Sequence, residues 1–318
     1  MQSLANSSEF DTSGELPVDH AAMTLKKRMF QPAGRLLKYS GSGALARAAA
    51  SATNIRVTLS HYVPGGDREQ FSRIISLLLS RRRTITPQQF FDYYSGTARL
   101  EGEFLLMSFD DGLLSSFDAT EAVLNPLGIK AMFFVPTAIL ELRDPVHMRH
   151  FYWERVYSRK RPLASLRPDE YVAMGAEHLR ELSAQGHAVL PHTHSHMRLS
   201  EITAPVLVEN ELVRPRRVLE DLLETPAPAF AFPIGNERVV GPEAYSSLRE
   251  IYAFCFTGLN GMNSRQTDPF FLHRDPIHGF DTLEHAANVI DGAYDVYYWM
   301  KMRRLRRRVE DRSANRHD

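Results

Sequence analysis

The sequence has little cysteine and no excess of charge of either sign. Its single cysteine, Cys255, excludes an internal disulfide, and the surrounding apolar run IYAFCF favours a buried core residue over a nucleophile. Lysine plus arginine and aspartate plus glutamate each number 38, so no general basic field predicts nucleic-acid binding. With 43% apolar residues, the composition is that of a globular protein with a sizeable core.

Long apolar runs are missing as well. The longest, AMFFVPTAIL, has about ten residues and contains a proline, which is too short to cross a bilayer. The first residues lack a basic region followed by an apolar one, so we expect no signal peptide and a cytoplasmic location. The six positive charges of KMRRLRRR (301–308) indicate either a solvated helix end or a surface for peripheral contact with an anionic membrane or an acidic partner.

Composition divides the chain into three parts. Residues 1–53 are rich in Ser, Ala and Gly, which predicts a poorly ordered or loosely docked N-terminal extension. Residues 54–290 alternate apolar runs with segments of helical period, which predicts a single folded domain. Residues 291–318 are expected to form a basic C-terminal helix or tail.

Short apolar runs within the domain predict strands with helices between them. The predicted strands are IRVTLS, FLLMSF, AMFFVP, HAVLP, AFAFP and AFCFT. The predicted helices are one over 71–79, one after Leu113, one ending at Gly186, a long one over 201–224, and GPEAYSSLREI. A polar, aromatic insertion at 141–168 is expected on the rim. Strands that are apolar throughout indicate a mainly parallel sheet, either open or closed into a barrel, with reactive groups at the C-terminal strand ends.

Two predicted strand ends carry side chains suited to metal chemistry. Asp110 and Asp111 follow FLLMSF, although DDG alone is also an ordinary turn or helix cap. PHTHSHMRLS follows HAVLP, and His192 and His196 are spaced i, i+4, so a helical turn would point both imidazoles the same way. Two imidazoles and a carboxylate form a common ligand set for a divalent metal with an open position. His194 would point elsewhere, and satisfied surface histidines are the alternative for this segment.

These motifs resemble those of the polysaccharide deacetylases, the NodB-homology family (carbohydrate esterase family 4). SFDDG and, about 80 residues later, HTHSH are similar to the first two family motifs, and LGIKAMFFVPT, FAFPIGN and LSHYV resemble further stretches. The resemblance covers roughly residues 55–280. It implies an α/β fold, specifically a distorted, seven-stranded (β/α) barrel of the NodB-homology type, as a single domain with the N-terminal extension.

The resemblance also implies roles for the residues. Asp111, His192 and His196 would bind a divalent metal, most often Zn²⁺ in this family, and Asp110 would act as general base. A cation beside the aspartate pair would remove the repulsion between the two carboxylates. Backbone N–H groups near Pro136 and Thr137 are the simplest candidates to stabilise an oxyanion.

The third motif departs from the family pattern, because FAFPIGN has no arginine and no clean late LxH motif follows. Arg274, in FFLHRDPIHGF, resembles the late arginine of other members and on a strand would face away from His273. We therefore expect Arg274 to pair with Asp110. Candidates for the general acid are His278 and His273, and protonation by water or by Asp110 itself stays open.

Other candidates concern the substrate. His61, at the end of the first strand, is either a rim group near the substrate or a structural histidine. Phe232 and Pro233, in the third motif, are candidate substrate contacts, with a core position as the alternative for Phe232. Trp153 and Tyr152 either stack on a sugar or pack on the rim.

The predicted reaction is removal of an acetyl group from an N-acetylated sugar of a glycan or glycan precursor. Two alternatives remain. The same site could hydrolyse another amide or imide, or the protein could be an inactive glycan-binding homologue, which the missing third-motif arginine suggests.

Overall fold

Parallel strands flanked by helices form the centre of the fold. The computed structural model describes residues 53–236 and 240–314. The predicted N-terminal extension lies outside these residues, apart from Thr53. The strands are β1 Thr53–Leu59, β2 Arg83–Thr84, β3 Gly102–Asp110, β4 Ala131–Val135, β5 Ala188–Pro191, β6 Ala229–Ala231, β7 Phe254–Phe256 and β8 Asp275–Pro276.

Helices follow most of these strands. The α-helices are α1 Arg68–Leu79, α2 Pro87–Ser95, α3 Leu114–Ala119, α4 Pro145–Phe151, α5 Ala176–Ala184, α6 Pro205–Val208, α7 Arg214–Leu223, α8 Pro242–Ile251, α9 Leu283–Ile290 and α10 Asp295–Ala314. Short 3₁₀ segments lie at Gly65–Asp67, Asn125–Leu127, Thr137–Glu141, Leu163–Ser165, Pro168–Glu170 and Leu199–Glu201. Single π-helical turns lie at Thr120–Leu124, Tyr152–Val156 and Glu209–Val213.

The strand pairing is that of a (β/α) barrel that does not close. The larger sheet has the order β5-β4-β3-β1-β8, with β2 also paired to β3, and β6 and β7 form a second sheet. Every pairing between these strands is parallel. Within the described residues no ladder joins β5 to β6. The predicted NodB-type α/β fold is confirmed, but the described residues form eight strands in two sheets rather than one seven-stranded barrel.

Strand β3 determines where the site lies. It is buried from Phe104 to Asp110, and its side chains alternate between two apolar clusters. Phe104 and Leu106 face the barrel interior, whereas Met107 and Phe109 face the surrounding helices. The period of two therefore places Asp110 on the interior side, at the C-terminal end of the strand.

The predicted long helix over 201–224 is interrupted. It consists of α6, the π-turn Glu209–Val213 and α7. Pro215 lies in the first turn of α7, and since proline has no backbone N–H, the regular i to i−4 pattern cannot continue through this position.

The basic C-terminal segment forms α10, which packs on the domain. Met302, Leu305 and Val309 are buried in an apolar cluster with Tyr245 and Leu248 of α8. The exposed side of α10 includes the arginines Arg303, Arg304, Arg307 and Arg308. None of the helices in the described part of the chain is long and apolar enough to span a membrane.

Candidate active site

Asp110 and Arg274 form a buried ion pair at the end of β3. Arg274 donates from Nη1 to Oδ1 of Asp110 at 2.6 Å and from Nη2 to Oδ2 at 2.8 Å. Its Nε donates to the carbonyl of Thr257 at 2.9 Å, and its guanidinium lies over the ring of Phe134. This bidentate contact fixes the plane of the Asp110 carboxylate, as the sequence predicted for Arg274.

The chain turns sharply directly after Asp110. Asp111 has a φ of 73° and Gly112 a φ of 65°, so both lie in the left-handed region. Tyr152 donates from its hydroxyl to the carbonyl of Asp111 at 2.9 Å. This turn directs the carboxylate of Asp111 toward the histidine loop, whereas the carboxylate of Asp110 faces Arg274.

The histidine loop is irregular, and the predicted helical turn is not formed. Thr193 and His196 have φ values of 61° and 56°, which a right-handed turn does not allow. The imidazoles of His192 and His196 nevertheless converge, with ring centroids 5.0 Å apart. Backbone strain at two residues, rather than helical spacing, therefore brings them together.

Each imidazole is oriented by a backbone carbonyl. Nδ1 of His192 lies 2.8 Å from the carbonyl oxygen of Ala231, and Nδ1 of His196 lies 3.0 Å from that of Arg155. Because a carbonyl only accepts, Nδ1 carries the proton in both rings and Nε2 presents its lone pair. The Nε2 atoms lie 3.7 Å and 3.3 Å from Oδ1 of Asp111.

Burial and charge set the protonation states of this group. Burial lowers the pKa of His192 to about 4, against the opposing carboxylate of Asp110. Burial alone would raise the pKa of Asp111, but the nearby imidazoles of His196 and His61 outweigh it and leave that pKa below its usual range. A neutral imidazole and an ionised carboxylate at neutral pH are the forms that bind a cation.

Asp111, His192 and His196 fit a divalent metal. One ligand atom from each lies within 4.8 Å of the others, and all three residues are buried. The Nδ1 hydrogen bonds to carbonyls are the outer contacts typical of histidine ligands. Two nitrogen atoms and one carboxylate oxygen form the donor set of open, catalytic metal sites. The three residues predicted as ligands are thus brought together.

Glu211, in the π-turn, holds the histidine loop and was missed by the sequence reasoning. Its buried carboxylate accepts from the backbone N–H of His194 at 3.1 Å and of Ser195 at 2.9 Å, and from the hydroxyl of Ser195 at 2.8 Å. In the sequence it is one of several acidic residues in a polar helix, so no local signal distinguishes it.

His194 points away from the other two histidines. Its Nδ1 contacts the hydroxyl of Thr137 at 3.0 Å. The amide of Thr137 donates to the carbonyl of Thr193, and that of Ala138 to His194. The expectation that N–H groups near Pro136 and Thr137 serve an oxyanion is therefore wrong for these amides, because proline has none and the other two are already bonded.

Two further histidines lie at the rim. The rings of His61 and His278 are 5.5 Å apart, and His278 stacks on Phe280 at 5.2 Å. His61 is close enough to Asp111 to lower the pKa of that carboxyl. His273 lies elsewhere, with Nδ1 3.2 Å from the carbonyl of Leu259, and burial lowers its pKa to about 4. Of the two proposed acids, only His278 lies on the side of the site that His61 occupies.

The third motif and the insertion supply mostly buried groups. Phe232 is 1% exposed and packs in the apolar cluster that contains Phe230, so its side chain serves the core. Pro233 is buried beside it. Tyr152 is fully buried beneath Asp111, which excludes it as a platform for a sugar, whereas Trp153 is half-buried and donates to the carbonyl of Arg161 at 2.6 Å.

A cavity of about 260 Å³ opens beside His196. Its walls come from the end of the insertion and from the chain that follows the histidine loop, including Arg155, Arg159 and Arg198. A substrate could therefore reach the ligand group from this side.

Comparison with known proteins agrees with this geometry. The sequence model of the family described as polysaccharide deacetylase matches residues 98–248. Among solved structures, IcaB from Ammonifex degensii is 22% identical with a TM-score of 0.58, covering 76% of this chain and 99% of that one. The Streptococcus pyogenes deacetylase PplD in complex with acetate is 15% identical, with the same TM-score and coverage. A polysaccharide deacetylase from Bacillus cereus is 18% identical with a TM-score of 0.56, covering 74% of this chain and 69% of that one.

No curated protein sequence matches the chain. The family match includes β3 with its aspartate pair and the loop with both histidines, and the solved structures share the fold around them. Fold and site together define a hydrolase of the carbohydrate N-deacetylase class. The match of the polysaccharide deacetylase family model to residues 98–248 confirms the resemblance seen in the motifs.

Proposed function

We propose that this protein is a metal-dependent deacetylase that removes the acetyl group from an N-acetylated sugar of a glycan or glycan precursor. The observation that carries the proposal is the convergence of Asp111, His192 and His196, with Asp110 beside them and locked by Arg274. The family match supplies the substrate class.

The metal proposed is Zn²⁺, held by Asp111, His192 and His196. Two imidazole nitrogens and one carboxylate oxygen suit this ion, and the buried position matches a catalytic centre. When bound, such an ion acts as a Lewis acid toward a carbonyl and lowers the pKa of water to about 7.

The protein's own groups would handle the protons. Asp110 lies with Oδ2 3.7 Å from Nε2 of His192 and is oriented by Arg274, so it is placed to take a proton from an attacking water. His278, beside His61 at the rim, is the proposed donor to the departing amine. The balanced reaction consumes one water, breaks the amide C–N bond and yields acetate and an amine.

Arg274 favours an active enzyme over a glycan-binding homologue. The third motif has no arginine, and this absence suggested an inactive homologue that only binds glycans. Because Arg274 makes the bidentate contact with Asp110 from a different strand, the base has its orienting partner.

The test combines metal analysis with acetate release. Purified protein is assayed for bound metal by mass spectrometry and for acetate released from N-acetylglucosamine oligosaccharides, before chelation, after chelation and after Zn²⁺ is restored. We expect activity to be lost and regained with the metal, and to be lost in His196→Ala. The variant Glu209→Gln, at a surface ion pair with Arg217, serves as the matched control. Activity that persists after complete chelation would contradict the proposal.

A further inference from the structure

The cavity beside His196 is rich in guanidinium groups. Its lining includes Arg155, Arg159 and Arg198, with Glu154 and Glu201 as the acidic residues. Three positive charges thus face two negative ones, directly beside a metal ligand.

The acidic residues are already paired. Arg159 forms an ion pair with Glu154, and Arg198 lies 3.3 Å from Glu201. Within the described ranges, Arg155 is exposed and has no acidic side chain within 4.0 Å. The guanidinium of Arg155 is therefore available to bind an anion, and the positive charges of Arg159 and Arg198 add to the attraction.

The wall that carries these arginines is a built structure. Ser158 and Arg159 are consecutive left-handed residues with φ values of 51° and 56°. The amide of Arg159 donates to the carbonyl of Trp153 at 2.8 Å, and the indole of Trp153 donates to the carbonyl of Arg161 at 2.6 Å. Non-glycine residues adopt this conformation only where surrounding contacts hold them, as they do at ligand-binding sites.

The wall is also connected to the metal site. The carbonyl of Arg155 accepts from Nδ1 of His196, while the side chain of the same residue lines the cavity. A group bound by this side chain would therefore lie in the cavity that His196 also lines.

We propose that this cavity binds an anionic group, a phosphate or a carboxylate, carried by the acetylated glycan next to the sugar that is deacetylated. The inference rests on the proposed function and narrows its substrate class. Guanidinium groups bind both kinds of oxyanion through paired hydrogen bonds, and a cavity with excess positive charge excludes cationic glycans. A neutral chain of N-acetylated sugars would leave Arg155 without a partner.

Binding measurements test this without relying on turnover. Metal-loaded protein carrying Asp110→Asn is titrated calorimetrically with three oligosaccharides of equal length: neutral N-acetylglucosamine, the same chain with one phosphate, and the same chain with one uronic acid. We expect an anionic chain to bind about tenfold more tightly than the neutral one, which corresponds to one charged hydrogen-bonded contact. The preference should shrink as salt concentration rises. Whichever anionic chain binds more tightly shows whether the cavity prefers a phosphate or a carboxylate.

Arg155→Gln, made in the same background, should lower the affinity for the anionic chains to that for the neutral chain. It retains the backbone carbonyl that orients His196. Arg143→Gln, at an exposed arginine outside the cavity lining, is the matched control and should change the affinity for neither the anionic nor the neutral chains. Equal binding of neutral and anionic chains, or a preference that survives Arg155→Gln, would overturn the proposal. Absence of acetate release by the wild-type protein alongside anion-selective binding would instead reject the deacetylase activity and leave the subsite standing.

Discussion

The guanidinium of Arg274 meets the carboxylate of Asp110 in two parallel hydrogen bonds of 2.6 and 2.8 Å, and both side chains are buried. The two residues are separated by 164 positions in the chain. Arg274 lies just before β8, so the base on β3 is oriented across β1, the strand between them in the sheet.

Replacing Arg274 by lysine should separate orientation from charge. Lysine keeps the positive charge but cannot make two parallel hydrogen bonds, so Asp110 would lose its fixed plane. We expect kcat for acetate release to fall by about 10²-fold or more, in the range of general-base catalysis, with bound metal unchanged. The pH profile of kcat should shift as well, because the environment of the base changes. Activity within twofold of wild type, in a folded variant, would show that the pair is only structural.

Replacing Glu211 by glutamine should weaken metal binding without removing a ligand. The backbone N–H groups of His194 and Ser195 both donate to Oε2 of Glu211, and the hydroxyl of Ser195 donates to Oε1. A neutral amide weakens the two backbone bonds by removing the charge, and its NH₂ group cannot accept the third. We expect zinc affinity to fall by about 10-fold to 100-fold, as for other groups that orient metal ligands. Competition with a chromophoric chelator measures it. Glu209→Gln, in the same π-turn, provides the control, and equal affinities in both variants would contradict the role of Glu211.

Replacing Gly112 by alanine should be strongly destabilising. Gly112 has a φ of 65°, and a Cβ there would lie 2.5 Å from Cδ1 of Ile139 and 3.1 Å from Cγ1 of Val135. Gly128 has a similar φ of 69° but nothing within 4 Å of a Cβ. In urea unfolding, Gly128→Ala should cost about 1 kcal/mol from backbone strain alone, and Gly112→Ala about 2 to 4 kcal/mol. Equal losses in the two variants would show that crowding under the aspartate pair is unimportant.

His187 should make the stability depend on pH. Its Nδ1 accepts from the amide of Ala131 at 3.0 Å and its Nε2 donates to Asn125 at 3.0 Å, so the folded protein needs the neutral ring. Burial, and then the charge of Lys130, lowers the pKa of His187 to about 4, below its usual 6.5. The unfolded chain therefore takes up a proton first, and stability is lost as the pH falls from about 6.5 toward 4.

A variant without the titrating group isolates this effect. The difference in free energy of unfolding between wild type and His187→Gln should fall by about 1 to 2 kcal/mol between pH 7.5 and pH 5. Chemical denaturation of both proteins at the two pH values measures it. A difference that is the same at both values would contradict the predicted titration.

The parts of the fold that depend on local pattern could be predicted. Buried strands such as β3 and β4 are continuous apolar runs. Arg274 and His273 take different partners, as expected, although both lie just before β8 rather than within a strand. Strands β2 and β8 contain two residues each and carry no pattern, because only pairing with a neighbour defines them.

The sequence predicted which side chains meet in the site, but not the contacts that hold them. Short motifs identify Asp111, His192 and His196, but the left-handed φ of His196 and the carbonyl of Arg155 that orients it result from contacts between distant segments. The same holds for Glu211, whose function depends on a fold that brings two loops together. Sequence therefore indicates which atoms can bind, whereas tertiary contacts determine how they are aimed.

The segment at 145–161 contributes both to the geometry of the proposed metal site and to the shape of the cavity beside it. The carbonyl of Arg155 orients His196, and the hydroxyl of Tyr152 contacts the turn at Asp111. The arginines of the same segment line the adjacent cavity. Exchanging this stretch with that of a relative would therefore alter substrate choice and cation retention together. Engineering a new specificity here calls for changes confined to side-chain tips, with the peptide backbone left in place.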